Sequence, residues 1–478
     1  MTIWQTSTVA RILQADLKGD PEAEVRGCVL DSRQVQGGEI FMAFSGQKVN
    51  GCDYIASAWE RGAVLAVAEA AKTGIPFEIP DIPEGKALIF VDSVKEALQN
   101  LAAVRRRELG AKVIAVTGSS GKTTTKDMIA AVLSQSFKVY KNVENQNNEL
   151  GLPLTILNAP ADTEMLVLEM GMRGLRQIAA LCKIAQPDMG VITNIGLSHL
   201  ELLETQEKIA QAKWELIESL PAGGLAVLNA EDLYSCQKAQ NAQVPILYYG
   251  LEGQYHDPDV QGRDLQFSGL LGTTFTVTFA EQKAIAELPL PGRHNVLDAL
   301  AALAVGLAWG IPLQEGVRGL TGMEISKMRL ETMAGINDSL LISDIYNANP
   351  VSVTASLNIL QERSSGLSTV AILGEMYELG TNSQAGHWEV GETAAELGIS
   401  RLITVGKLAE DIAGGARFRS YPAESLAICA TCEEAILQAV KVLAELPSGA
   451  WVLIKGSRGM KMEEITARLR LKEKEGQE

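Results

Sequence analysis

The chain has few of the features that mark secreted or membrane-spanning proteins. Its 478 residues include only six cysteines, too few for a disulfide framework in so long a chain. The N-terminal segment MTIWQTSTVA lacks a basic region followed by an apolar run, so we expect no secretory signal. The sequence also lacks an apolar stretch long enough to span a bilayer. These absences favour a cytoplasmic protein without membrane insertion.

The charge balance narrows the partners that the chain can bind. Its formal net charge is −16, whereas proteins that bind DNA or RNA without sequence preference present a basic face. We therefore expect no nucleic-acid partner, although local lysines and arginines still allow a small phosphorylated ligand. Hydrophobic content of 46% and charged content of 21% are typical of a globular protein, and the length predicts about three domains. Cys429 and Cys432 form a lone CxxC pair, which favours structural cysteines over a metal site.

The most informative stretch is KVIAVTGSSGKTTTKDMIAAVL at residues 112–133. Its first five residues are mostly apolar and β-branched, which predicts a buried parallel strand, and the later apolar spacing predicts a helix. A glycine-rich turn between such elements forms a phosphate cradle, in which Lys122 reaches the terminal phosphates and the Thr123 hydroxyl holds Mg²⁺. Val116 stands where the general pattern has a glycine, so the match is partial. The alternative is a plain Gly/Ser turn.

Two more polar residues of this region follow predicted strands. Glu169 ends the apolar run that begins at Met165, and His199 comes shortly after the strand at 188–194. Open α/β sheets bind ligands at the carboxyl ends of their strands, so both side chains can face the phosphate loop. Mg²⁺ prefers oxygen ligands, which favours Glu169 as the more direct ligand. Lys213 lies on a predicted helix, where a solvated lysine is the ordinary interpretation.

Other candidate segments have simple structural explanations as well. The amide-rich loop at 142–151 suits a polar substrate, but it is also typical of an asparagine-rich turn. The segment 31–33 precedes two glycines and can bind a diphosphate or simply form a loop. Asn295 stands at a predicted helix start, where an N-cap is the simple interpretation. From the residues alone these alternatives remain open.

The order of predicted elements indicates an α/β protein with three domains. Strands and helices alternate along the chain, and strands that end in polar or glycine residues recur in its last third. We predict a small N-terminal α/β domain at 1–88, a central domain with a parallel sheet and the phosphate loop at 89–320, and a C-terminal Rossmann-like domain at 321–478. Residues 250–290 are expected to form β-hairpins.

Together these motifs resemble those of the Mur ligases, the ATP-dependent amide-forming enzymes of peptidoglycan precursor synthesis. The resemblance covers almost the whole chain. Its family motifs are TGSSGKTT from Thr117, LEMG from Leu168, TNIGLSH from Thr193, AKWE from Ala212 and GRHN from Gly292. Four further segments resemble those of the family members that add a D-alanyl-D-alanine dipeptide. They are NQNNELGLPLTIL from Asn145, DIYNANP from Asp344, LGEMYELG from Leu373 and KGSR from Lys455.

The resemblance implies roles for individual residues. The residues it implies for ATP binding are Gly118, Ser119, Ser120, Gly121, Lys122, Thr123, Thr124, Asn295, Arg329 and Asp344. The residues it implies for magnesium are Thr123, Glu169 and His199. The residues it implies for catalysis are Lys122, Lys213 and His199, of which Lys213 matches a lysine that is carbamylated in some relatives. The residues it implies for substrate binding are Asp31, Ser32, Arg33, Asn145, Asn147, Asn148, Tyr346, Asn347, Asn349, Lys455, Ser457 and Arg458.

The resemblance also implies the reaction and the fold. It implies ATP-dependent ligation of D-alanyl-D-alanine to the C-terminal carboxylate of a UDP-N-acetylmuramoyl-tripeptide through an acyl phosphate, giving a pentapeptide precursor for the cell wall. The N-terminal domain would bind the UDP-sugar, the central domain would be a P-loop ATPase, and the C-terminal domain would close over the site. We expect ATP and Mg²⁺ as cofactors and a monomer.

Two alternatives remain at this point. A relative such as folylpolyglutamate synthase or another Mur ligase shares the phosphate loop. A nucleotide-gated binding protein without ligase activity would need no metal site shared by Glu169 and Asp344.

Overall fold

The computed structural model describes residues 3–46, 50–69, 81–143, 146–196, 200–268, 272–323 and 330–471. Its N-terminal elements are β1 (Trp4–Gln5), α1 (Thr6–Leu13), β2 (Leu17–Gly19), β3 (Glu24–Val25), β4 (Gly27–Val29), β5 (Glu39–Ala43), α2 (Ile55–Glu60), β6 (Leu65–Glu69) and β7 (Ala87–Val91). Strands β1 and β3 pair with each other, and the other five form a sheet in the order β2-β7-β6-β5-β4. Strand β7 pairs with β6 as far as Val91, so this sheet runs past residue 88, where we predicted the first domain boundary.

The central part has helices α3 (Val94–Leu109), α4 (Lys122–Leu133), α5 (Gly151–Leu157), α6 (Gln177–Ala185), α7 (Leu200–Leu203), α8 (Gln206–Glu218), α9 (Leu233–Ala239), α10 (Arg293–Ala308) and α11 (Leu313–Thr321). Its strands are β8 (Lys112–Thr117), β9 (Val139–Lys141), β10 (Met165–Glu169), β11 (Met189–Ile192), β12 (Leu225–Asn229), β13 (Ile246–Gly250), β14 (Val260–Ser268), β15 (Gly272–Phe279) and β16 (Gln282–Leu288).

The central strands form one sheet in the order β16-β15-β14-β13-β12-β11-β8-β10-β9. Pairing is parallel from β9 to β14, and β14, β15 and β16 form the antiparallel hairpins predicted for 250–290. Apolar side chains of α4 and α10 cover one face of this sheet, and those of α3, α6 and α8 cover the other. The carboxyl ends of β8, β10 and β11 therefore meet at one edge, where we expected the ligand site.

Helix α3 joins the first two parts of the molecule. Ser93 caps its N-terminus by accepting a hydrogen bond from Glu96 N, and Gly110 ends it in the left-handed conformation. Its buried Leu98 and Leu101 belong to a core that also contains Ile40 of β5 and Leu166 of β10. The N-terminal and central sheets thus share one hydrophobic core.

The C-terminal part is a separate, mostly parallel sheet. Its elements are β17 (Glu331–Ala334), β18 (Leu340–Asp344), α12 (Pro350–Ser364), β19 (Thr369–Gly374), α13 (Ser383–Glu396), β20 (Arg401–Val405), α14 (Glu410–Phe418), β21 (Leu426–Cys429), α15 (Cys432–Glu445), β22 (Trp451–Lys455) and α16 (Glu463–Leu469). The strand order is β17-β18-β22-β19-β20-β21, with β17 antiparallel. Two core clusters cover its faces, as expected for a Rossmann-like layer structure. Within the described ranges, not one helix combines the length and apolar character that crossing a bilayer requires.

Candidate active site

The phosphate loop lies between β8 and α4, and the end of β11 holds it in shape. The Ser120 backbone N–H and hydroxyl both donate to Asn194 Oδ1 at 3.1 Å, and Asn194 Nδ2 donates back to Ser120 O at 3.1 Å. Ser119 N donates to Asn194 O at 2.9 Å, and Thr193 Oγ1 donates to Ser120 O at 2.6 Å. Hydrogen bonds to protein groups just after β11 therefore hold the loop in shape.

Two glycines allow this loop to approach its neighbours closely. Gly118 has φ +157°, and a Cβ there would lie 1.8 Å from Thr193 Oγ1. Gly121 has φ +76° at the start of α4, and its Cβ would lie 2.5 Å from Asp298 Oδ1. Val116, the residue that broke the general pattern, is fully buried inside β8 and pairs with Glu169 and Val191. The strand thus needs an apolar residue at that position.

Lys122 begins α4 and folds over the loop. Its Nζ donates to Gly118 O at 2.9 Å and lies 3.5 Å from Ser119 O. The ammonium group is thus held at the mouth of the cradle, beside the backbone that would surround a phosphate. The motif predicts that a lysine at this position reaches the terminal phosphates.

Glu169 and Thr123 form the oxygen-rich part of the site. Thr123 Oγ1 donates to Glu169 Oε2 at 2.7 Å, and Asn147 Nδ2 donates to Glu169 Oε1 at 2.8 Å. The carboxylate is 1% exposed and lies at the end of β10. A hydroxyl beside one carboxylate fits Mg²⁺, which accepts few protein ligands and completes its shell with phosphate and water. In the part of the chain that the structure describes, no three His, Cys, Asp or Glu side chains cluster as metal ligands, and His199 lies outside that part.

Lys213 is a buried lysine of α8, contrary to the ordinary interpretation of a solvated helical residue. Its side chain is almost completely inaccessible. Burial lowers the pKa of its ammonium group well below the usual value, and the positive charge of Lys122 lowers it further, while Asp232 opposes the shift. Burial of this kind is the way in which proteins lower the pKa of a lysine amine.

The C-terminal part contributes a partly buried ion pair to the opposite wall. Asp344 at the end of β18 pairs with Lys455 at the end of the neighbouring strand β22, and Ser356 Oγ donates to the same carboxylate at 2.8 Å. Lys455 Nζ also donates to Asn347 O at 3.1 Å. This pair therefore fixes the loop that follows β18.

Neighbouring C-terminal residues are tied into local structure. Asn349 caps α12 in a capping box with Ser352, and its Oδ1 accepts from Ser352 N at 2.8 Å. Ser457 Oγ accepts from Tyr377 N at 2.9 Å, and Arg458 pairs with Glu463 at 2.9 Å.

One cavity of about 1560 Å³ lies between the central and C-terminal parts. The predicted site residues that line it are Ser119, Ser120, Gly121, Lys122, Thr123, Thr124, Asn147, Asn148, Glu169, Asn295, Asp344, Tyr346, Asn347, Asn349, Lys455, Ser457 and Arg458. The structure thus brings the phosphate loop, the carboxylate and the C-terminal loops to one place.

Other predicted residues do not line this cavity, lie outside the described part of the chain, or have a different local role. Asp31, Ser32 and Arg33 are not among the residues that line this cavity, and Arg33 pairs with Asp31 at 2.6 Å. Asn145, His199 and Arg329 lie outside the described residues. Asn295 lines the cavity but is not an N-cap: Gly292 holds that position, and Asn295 Nδ2 donates to Pro291 O at 2.6 Å.

Asp298 is a site residue that sequence analysis missed. It lines the cavity, lies against Gly121 and accepts a hydrogen bond from Thr125 Oγ1 at 2.9 Å. It follows Asn295 by three positions on α10, so the two share a helix face. A carboxylate at that spacing in an otherwise apolar helix was the available signal.

Family comparisons cover all three parts of the chain. Residues 24–106 match the model described as Mur ligase family, catalytic domain. Residues 116–306 match the Mur ligase middle domain, and residues 328–458 match the Mur ligase, glutamate ligase domain.

Individual relatives match over nearly their whole length. The UDP-N-acetylmuramoyl-tripeptide–D-alanyl-D-alanine ligase of Bacillus subtilis (strain 168) is 36% identical over 92% of each chain, and that of Escherichia coli (strain K12) is 30% identical over 97% of each. A crystal structure of MurF from Acinetobacter baumannii has a TM-score of 0.85 at 29% identity, covering 97% of this chain and 98% of the other. MurF ligase from Thermotoga maritima in complex with ADP has a TM-score of 0.78 at 27% identity, covering 93% and 97%.

Proposed function

This chain belongs to the Mur ligase family, and from that premise we propose that it joins D-alanyl-D-alanine to the C-terminal carboxylate of UDP-N-acetylmuramoyl-tripeptide. The reaction consumes ATP, yields ADP and phosphate, and produces the pentapeptide precursor of peptidoglycan. The observation that carries the proposal is the near full-length match to ligases of that name. The meeting of the phosphate loop and the C-terminal loops in one cavity supports it.

The proposed chemistry begins with two anions. The terminal phosphoryl group of ATP passes to the tripeptide carboxylate, which makes an acyl phosphate because a free carboxylate is a poor electrophile. Lys122 and the backbone N–H groups at the start of α4 would offset the repulsion between them. The amine of D-alanyl-D-alanine then attacks the acyl carbon, and phosphate leaves. Since ATP is consumed, we keep the cytoplasm as the proposed location.

We propose that Thr123 and Glu169 hold Mg²⁺, with His199 as a further predicted ligand. The oxygen donors at Thr123 and Glu169 suit that ion. Bound there, it would supply positive charge next to the nucleotide phosphates. Asn295, Asp344 and Arg329 remain proposed nucleotide contacts, and the first two line the cavity.

The dipeptide and the UDP group of the other substrate would contact different domains. We assign the dipeptide to the loop carrying Tyr346, Asn347 and Asn349, which the ion pair of Lys455 holds in place. The segment 31–33 stays the proposed UDP contact, since its exposed Arg33 offers a guanidinium to a diphosphate.

Closure of the C-terminal domain would protect the acyl phosphate from water. Contacts that support a closed form already join the two parts: Arg173 pairs with Glu378 at 3.5 Å, and Gly380 packs against Glu201. Lys213 would act in catalysis from the central domain, and the lowered pKa of its amine favours carbamate formation with CO₂.

A substrate panel tests this function. UDP-muramoyl peptides of different length are crossed with single amino acids and D-dipeptides, and phosphate release and product mass are measured. We expect turnover with the tripeptide and D-alanyl-D-alanine together. Preference for a single amino acid would indicate another Mur ligase. Transfer of glutamate to a folate would indicate a folylpolyglutamate synthase. The absence of any turnover would contradict ligase function.

A further inference from the structure

Asn142 continues a strand pairing after the strand itself has ended. The backbone ladder between β9 and β10 stops at the pair of Lys141 and Val167. Beyond it, the side chain of Asn142 takes over: Glu169 N donates to Asn142 Oδ1 at 2.9 Å, and Asn142 Nδ2 donates to Glu169 O at 3.1 Å. One side-chain amide thus satisfies both backbone groups of Glu169.

Glu169 needs that partner because it is buried. On the other side of β10, Met170 N donates to Val116 O at 2.8 Å. The backbone hydrogen bond to β8 is therefore made by Met170, the residue after Glu169. The N–H and C=O of Glu169 point away from β8, toward the side where β9 has ended. Asn142 is completely buried and Glu169 is 1% exposed, so without the amide these two groups would lie unpaired in the interior.

Asn142 is itself fixed by helix α4. Its Nδ2 also donates to Gln146 O at 2.8 Å, and its backbone oxygen accepts from Lys126 Nζ at 2.8 Å. Lys126 is buried one turn after Thr123 on the same helix. The helix that carries the Thr123 hydroxyl therefore also sets the position of the amide that holds Glu169.

We propose that Asn142 is a positioning residue for the metal-binding carboxylate, and this inference rests on the proposed function. By clamping the backbone of Glu169, it keeps the carboxylate beside Thr123 Oγ1, which donates to it at 2.7 Å. The amide-rich loop thus contacts Glu169 at two points. Asn142 binds its backbone, and Asn147 Nδ2 donates to its carboxylate. Partners behind a metal ligand orient it and affect metal affinity.

The test compares ADP binding with and without Mg²⁺. The affinity of the purified full-length protein for ADP is measured by calorimetry in excess Mg²⁺ and again in EDTA. For Asn142→Ala we expect an unchanged affinity in EDTA and a loss of about 10–100-fold in the gain that Mg²⁺ provides. Asn142→Thr keeps an acceptor for Glu169 N but cannot donate to both carbonyls, so its loss should be intermediate.

Asn158 supplies a matched control. Its side chain also clamps both backbone groups of one residue, accepting from Cys28 N and donating to Cys28 O, each at 2.9 Å, but between the N-terminal and central parts. Asn158→Ala should leave the Mg²⁺-dependent gain unchanged. An equal effect of Asn158→Ala would show a general loss of structure and overturn the inference.

Three other results would overturn the inference. One is an Asn142→Ala protein with the wild-type Mg²⁺ gain, another is equal weakening in EDTA and Mg²⁺, and the third is failure of both Asn142 variants to fold. Failure of the proposed function looks different: wild-type protein would bind MgADP normally and never ligate, while the Asn142 effect on MgADP binding would persist.

Discussion

Replacing Gly121 with alanine should disable the phosphate loop through a steric clash. A control variant separates the effect of that clash from the effect of backbone strain. Gly121 has φ +76°, and a Cβ there would lie 2.5 Å from Asp298 Oδ1 and 2.9 Å from Oδ2. Gly310, in the same domain, has φ +79° and no atom within 4 Å of its Cβ position. Both alanine variants therefore carry the same left-handed strain, about 1–2 kcal/mol, and only one carries the clash.

The cost of the clash follows from how Asp298 is held. Moving from 2.5 Å to an ordinary contact of 3.4 Å requires a shift of about 0.9 Å. The buried carboxylate accepts from Thr125 Oγ1 at 2.9 Å, and losing a hydrogen bond to a charged group costs about 1.5–3 kcal/mol. We expect Gly121→Ala to lower the free energy of unfolding by about 2.5–5 kcal/mol, and Gly310→Ala by about 1–2 kcal/mol.

Gly121→Ala should lower the activity as well as the stability. If the loop moves instead of Asp298, a misplacement of about 1 Å costs about a hundredfold in rate. Urea unfolding and kcat/KM for ATP, measured from ADP release at saturating peptide substrates, test both parts. Gly310→Ala should keep the wild-type kcat/KM. A Gly121→Ala enzyme that matches Gly310→Ala in stability and kcat/KM would refute the reasoning.

Three further predictions follow from single contacts. Lys122→Ala should lower ATP-dependent ligation about a thousandfold, because its charge offsets that of the phosphates, and full turnover would remove it from the mechanism. Burial lowers the pKa of Lys213, so between that pKa and 10.5 the unfolded chain binds more protons than the folded one. In CO₂-free buffer the free energy of unfolding should therefore rise with pH in this range, by up to about 1.4 kcal/mol per pH unit. Urea titrations of Lys213→Met should not show this rise. A Cβ at Gly380 would lie 2.6 Å from Glu201 Cα, so Gly380→Ala should hinder domain closure and lower kcat. Gly366→Ala is the control, because no atom lies within 4 Å of its Cβ position, and it should leave kcat unchanged. Equal kcat values for the two variants would contradict a role of the Gly380–Glu201 contact in closure.

Patterns local in sequence predicted much of the fold and part of the site. The phosphate loop follows from a strand pattern, a glycine turn and a helix pattern, all within a few residues of each other. The end of an apolar strand likewise marked Glu169. Such features depend on short-range physics, which a single sequence displays.

Contacts between distant residues could not be predicted in this way. Asn194 shapes the phosphate loop from 74 positions away, and Asp298 holds Thr125 from 173 positions away. Asn142 looked like one more loop amide because its partner, the backbone of Glu169, has no sequence signature. Lys213 looked like a solvated lysine because helical spacing does not reveal what packs on each face.

The central claim is that a phosphoryl group passes from ATP to the carboxylate of the peptide substrate. The most direct measurement labels that carboxylate with a heavy oxygen isotope, supplies D-alanyl-D-alanine, ATP and Mg²⁺, and follows the label by mass spectrometry. The account predicts one labelled oxygen in the released phosphate for each pentapeptide and each ADP formed. Unlabelled phosphate, or ADP formation without an amide product, would contradict it.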